Sequence, residues 1–140
     1  MTIKEEQTKL LEDLSIFQDW TERYEYVISL GKKLPLMEDT QKSEDKLIQG
    51  CQSQVWLDAE KQDGPEKRVI YHADSDSVIT KGMIALFINT LSGQPAEQIL
   101  AADMSFIDQT GLKEHLAPTR ANALNLMARQ MKKLALELSV

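Results

Sequence analysis

From about Asp76 to Leu91 the chain reads as a helix that is apolar on nearly every side. Val78, Ile79, Met83, Ile84, Leu86, Phe87 and Ile88 do not fall on a single stripe at 3.6 residues per turn, so the segment has to be surrounded rather than laid on a surface. Its longest unbroken apolar run, Met83 to Ile88, is far too short to cross a bilayer, and the cover must therefore be protein. Asp74-Ser75-Asp76-Ser77 directly before it offers several residues able to cap its first turn.

The remaining sequence supplies that cover. Leu10, Leu11, Leu14 and Phe17 recur at helical spacing near the N-terminus. A second helix is expected from Asp19, its N-cap, to about Leu30, with Trp20, Tyr24, Val27 and Ile28 along one stripe. Gly31 suits its end, and Pro35 prevents easy continuation. Glu38 to Lys46 is polar and reads as a loop with at most one helical turn. Two alternating stretches follow, Gln54 to Glu60 and Arg68 to Ala73. Asp63-Gly64-Pro65 between them marks a turn, which makes the pair an antiparallel hairpin. After the apolar helix, Gly93 and Pro95 separate it from a short helix near Ala96 to Ala101. A last helix is expected from Pro118, carrying Leu124, Met127, Met131, Leu134 and Leu138. The result is an α+β fold, a small antiparallel sheet packed with helices, in a single domain over residues 1–140.

Charge narrows the partners. The net charge is −6, and an acidic surface repels phosphate backbones and anionic headgroups, so neither nucleic acid nor membrane is an expected partner. The N-terminal residues show no basic stretch followed by an apolar one, which points to a cytoplasmic protein without a signal peptide. A single cysteine, Cys51, forbids an internal disulfide and fits a reducing compartment. Cys51, His72 and His115 share no metal-ligand spacing, so no metal site is expected.

Chemistry centres on Cys51, which lies in Gly50-Cys51-Gln52-Ser53 just before the first strand. Glycine permits a tight turn, and Gln and Ser add hydrogen-bonding groups without charge. By residue type alone a small buried hydrophobe, the usual fate of a free cysteine, is the commoner reading, and the polar neighbours and the glycine weigh against it. At an ordinary pKa only about 3% of such a thiol is ionised at neutral pH. His115 or His72 could act as a base beside it, although His72 reads more simply as a solvent-facing strand residue. Asp74 and Asp76 could form a carboxylate pair, but a strand end and helix cap explain them more simply. Lys132-Lys133 and Lys32-Lys33 read as cations offsetting helix dipoles. Trp56 alternates away from Val55 and Leu57 and is expected to pack under a helix on the second face of the sheet.

Four blocks in order carry a resemblance. IQGCQSQVWL (48–57), WTERYEYVISLGKKLP (20–35), DSDSVITKGMIAL (74–86) and GLKEHLAPTRANAL (111–124) together resemble the SufE family of sulfur-acceptor proteins, over about residues 10–135. The resemblance implies a fold like that of the IscU scaffold, without the three cysteines with which such scaffolds hold clusters. It implies a cytosolic partner of a pyridoxal-phosphate cysteine desulfurase of the SufS or CsdA type. Cys51 would take persulfide sulfur from the desulfurase, stimulate that enzyme and pass the sulfur to an iron–sulfur scaffold. Pyridoxal phosphate belongs to the desulfurase, and no cofactor is expected on this chain. Gly50, Gln52 and Ser53 match the loop around the reactive cysteine. Asp74 matches the acidic start of the helix block, and Arg120 matches the arginine after the HLxP element. Both are candidates for shaping or charging the cysteine pocket, since a guanidinium near Cys51 would stabilise an anion. Ala123 stands where the family often has glycine. The rival readings are a thiol-independent iron–sulfur scaffold or desulfurase-binding adaptor, and a cysteine hydrolase using His115. The sequence is also compatible with a homodimer.

Overall fold

A computed structural model describes the whole chain, Met1 to Val140. Helix α1 (Ile3–Ser15) opens on a capping box, in which the Thr2 hydroxyl accepts from the Glu5 amide and the Glu5 carboxylate accepts from the Thr2 amide. Ile3, Leu10 and Leu14 turn inward. The helix stops before Phe17, which packs on Tyr26 with ring centroids 5.3 Å apart. Helix α2 (Trp20–Lys32) begins at the expected cap, with the Asp19 carboxylate accepting from the Glu22 amide.

Gly31 does not end α2. It lies inside the helix, where a side chain would meet the amide nitrogen of Gly82 at 2.7 Å. A side chain at Gly82 would in turn sit 2.8 Å from the carbonyl carbon of Val27. Both glycines are there because two backbones touch. The second backbone is that of α3 (Val78–Leu91), the apolar helix, which starts slightly later than Asp76 and takes Ser77 as its N-cap. Met83 through Ile88 are all buried.

The hairpin forms as the alternation requires. Strand β1 (Val55–Lys61) runs antiparallel to β2 (Arg68–Ser75), with Val55 opposite Ser75, Leu57 opposite Ala73 and Ala59 opposite Tyr71. Val55, Leu57, Val69, Tyr71 and Ala73 are buried on the face toward α3. A third strand, β3 (Gln94–Pro95), pairs with the start of β2. In the sequence it reads only as a separator, because two residues are too few to show alternation; proline is tolerated there at the sheet edge. On the sheet's second face Trp56 is half-buried, but no helix covers it in the way its alternation suggests. The cover is the segment from Asp39 to Leu47, which forms two 3₁₀ turns, with the Lys42 ammonium 5.5 Å from the indole centroid and Leu47 bridged to Trp56.

Four helices complete the chain: α4 (Ala96–Ala101), α5 (Phe106–Thr110), α6 (Leu112–His115) and α7 (Pro118–Leu138). The two helices α5 and α6 are too short for a periodic signal, and the sequence does not announce them. Gly111 joins them in the left-handed region (φ 74°) and lies against the Trp20 ring. Leu124, Met127 and Met131 of α7 are buried, and Ala123 is buried among them without interrupting the helix. Lys132 does not serve its own helix end. Its ammonium donates to the carbonyls of Leu100 and Ala102, at the end of α4. The fold is α+β, with seven helices around a three-stranded antiparallel sheet and one core running from Ile3 to Ala135. No helix is long and apolar enough to cross a membrane.

Candidate functional site

Cys51 lies near the tip of a short closed loop. Ahead of β1, the Ile48 amide donates to the Val55 carbonyl at 2.8 Å, so that residues 49–54 are tied off at their base. Ile48 and Val55 are both buried, which roots the loop in the core. Gly50 turns the chain with φ 91°, a conformation that L side chains rarely adopt, and a side chain there would meet Leu126 of α7 at 3.1 Å. The turn brings Cys51 inward, where it is half-buried against the core.

The other loop residues are held from outside. The Thr119 hydroxyl, in the first turn of α7, donates to the Gln52 side-chain carbonyl at 3.1 Å. The Ser53 hydroxyl lies 3.5 Å from that of Thr80 in the first turn of α3. Gln54 is gripped by the corner between β2 and α3. Its amide donates to the Asp76 carboxylate (3.1 Å), and its carbonyl accepts from the Ser75 hydroxyl (2.7 Å) and the Asp76 amide (3.3 Å).

Electrostatically the thiol is alone. Burial pushes its pKa above the ordinary value, and burial is the only cause. At rest the sulfur is therefore held protonated, a poor nucleophile. Arg120 sits exposed in the first turn of α7 and does not charge the thiol in this arrangement. Asp74 is directed elsewhere. Its carboxylate bridges Lys42 (2.6 Å) and Lys81 (3.2 Å) and accepts from the Ser75 amide. Burial pushes the Asp74 pKa up, but the hydrogen bonds from Lys42, Ser75 and Lys81 outweigh it and leave the carboxyl below its usual value. Asp74 thus pins the covering segment, through Lys42, to the start of α3. Asp74 and Asp76 serve different partners and form no carboxylate pair.

Neither histidine attends the thiol. His72 points from the sheet toward Glu60, at 3.2 Å. The His115 ring is stacked on Trp20, with centroids 3.8 Å apart and planes 22° from parallel, and its carbonyl accepts from the Tyr24 hydroxyl. No three His, Cys, Asp or Glu side chains gather where they could hold a metal ion.

The family model described as the Fe-S metabolism associated domain, SufE, matches residues 8–135. The chain belongs to the SufE family. An uncharacterised SufE-like protein of Rhizobium etli is 35% identical over 126 residues, spanning 89% of this chain and 85% of that one. SufE-like protein 1, chloroplastic/mitochondrial, of Arabidopsis thaliana is 40% identical over 99% of this chain, which covers 38% of the plant protein. The solution structure of a hypothetical protein from Thermus thermophilus superposes with a TM-score of 0.77 over 95% of each chain, at 18% identity, a likeness of fold.

Within this SufE fold the loop contacts from Thr80, Ser75, Asp76, Thr119 and Leu126 escape sequence reasoning. Ser75 and Asp76 read as caps in the sequence, and hydroxyl or carboxylate residues beside a helix start do not announce a partner more than twenty residues away. Thr119 and Leu126 are seven residues apart, two turns of one helix, so a single face of α7 meets the loop at both points.

Proposed function

We propose that this SufE-family protein is a sulfur carrier in iron–sulfur metabolism, with Cys51 as the point at which the sulfur is attached. The observation that supports this is a lone thiol near the tip of a rooted loop, half-buried, kept protonated by burial, and without a base or cation of its own. Such a thiol is inert by itself and needs a second active site to complete it. The partner that suits it is a pyridoxal-phosphate cysteine desulfurase, and the cofactor stays with that enzyme.

The transfer balances without an oxidant. Cys51 Sγ, as the thiolate, attacks the terminal sulfur of the donor's cysteine persulfide, and a new S–S bond forms on Cys51 as the donor's S–S bond breaks. The donor cysteine leaves as a thiol and takes up the proton given up by Cys51. One thiol suffices to hold the product, and the absence of a second cysteine prevents its loss through an internal disulfide. Turnover of the desulfurase rises because its persulfide is cleared. The sulfur then passes to an iron–sulfur scaffold, in a reducing compartment such as the cytoplasm.

The test is desulfurase plus free cysteine, followed by intact-mass measurement of this chain. One sulfur is expected on the wild type and none on Cys51→Ser. No adduct on the wild type, or an intact adduct on the variant, overturns the assignment. Full stimulation of the desulfurase by Cys51→Ser would make the chain a thiol-independent adaptor.

A further inference from the structure

The Cys51 loop is held firmly at one end and lightly at the other. Its base is closed by the Ile48–Val55 hydrogen bond, and Gln54 is gripped by three bonds from Ser75 and Asp76. The residue next to the thiol, Gln52, accepts one hydrogen bond, from the Thr119 hydroxyl, with both residues exposed, and Ser53 beyond it has only the long 3.5 Å contact with the Thr80 hydroxyl. Water can replace the Gln52–Thr119 bond at small cost, so its strength sets a population rather than a permanent state.

Thr119 is itself well placed. The helix α7 has no side-chain N-cap, and its first turn is moored by the chain before it. The His115 ring stacks on Trp20, the Tyr24 hydroxyl donates to the His115 carbonyl, and Gly111 lies against the same indole. The Arg23 guanidinium lies 4.9 Å from the Trp20 ring centroid. Lys113 of α6 donates to Asn125 of α7 at 2.8 Å. This clamp joins α2 to the start of α7 and leaves one hydroxyl facing the loop.

We propose that Thr119 is a positioning residue for Cys51: its hydrogen bond to Gln52 latches the loop with the thiol inward, and release of that bond presents the sulfur. The purpose of the latch rests on the sulfur-carrier reading, but its existence does not. Gly50, at a positive φ, and Ser53 flank the part that moves, while the base stays closed.

The experiment measures alkylation of Cys51 by iodoacetamide in the isolated full-length protein, with no desulfurase present. Thr119→Ala is expected to raise the rate about two- to fivefold, the effect of one modest hydrogen bond. Thr119→Ser keeps the hydroxyl and is expected to retain the wild-type rate. In a Gln52→Ala background, Thr119→Ala adds nothing further, and the thermal midpoint stays constant throughout. An unchanged rate in Thr119→Ala, or an acceleration that persists on top of Gln52→Ala, overturns the latch. Because no sulfur donor takes part, a failed latch leaves the sulfur-adduct test untouched, and a failed adduct test leaves the alkylation result readable.

Discussion

Gly31 of α2 rests on the backbone of Gly82 in α3, so closely that a methyl group on Gly31 would fall 2.7 Å from the Gly82 amide nitrogen. The contact seats the apolar helix against α2. It also holds the first turn of α3, whose Thr80 faces the Cys51 loop.

Alanine at Gly82 gains about 1 kcal/mol in helix propensity. The same methyl would be driven into the Val27 carbonyl group, rigid backbone that cannot rotate aside. The collision decides the sign, and Gly82→Ala is expected to destabilise the fold by about 3 kcal/mol. Urea denaturation checks it, and a variant as stable as wild type would contradict the close crossing.

The Cys51 thiol is expected to alkylate with a pH profile whose inflection lies above the ordinary thiol value of about 8.5, because burial opposes the thiolate. In denaturant the inflection should return to the ordinary value. The linkage to stability follows from the same shift. A pKa raised by folding stabilises the native state fully below the unfolded pKa and loses that contribution as pH rises through the folded value. Wild type should therefore lose stability on the alkaline side relative to Cys51→Ser. Denaturation midpoints of the two proteins across the alkaline range measure the difference.

Asp74 carries the opposite sign. Its folded pKa is lowered, so its contribution is present above the unfolded value of about 3.9 and disappears as pH falls through the lower folded value. Asp74→Asn is expected to cost about 2 kcal/mol at neutral pH, the worth of hydrogen bonds to a charged acceptor. The gap between the two proteins should narrow in acid. Release of Lys42 should also loosen the segment above Trp56, read as a change in tryptophan fluorescence.

Periodicity is a local property, and whatever depends on it was legible in the sequence. The all-round apolar helix, the alternating hairpin, the Asp19 cap and the α7 stripe can each be read without a partner. β3, α5 and α6 lack the length for such a signal, and their existence depends on neighbours. Gly31 shows the limit most clearly. A glycine near a helix end has the same local preferences whether it stops the helix or lets another backbone touch it, and only the position of Gly82 distinguishes the two.

The site divides along the same line. By itself the sequence determined that the chain has a single thiol, the one atom the proposed sulfur transfer can use, and the ordered blocks around it identified the family. The tertiary structure decided the state of that thiol. Depth of burial sets its protonation, and depth is a sum over distant segments. Asp74, beside the helix cap, went to two lysines, while Asp76, Thr119 and Leu126 came to the loop. Short polar side chains have no periodic signature, and their partners are chosen only when the helices that bear them are packed.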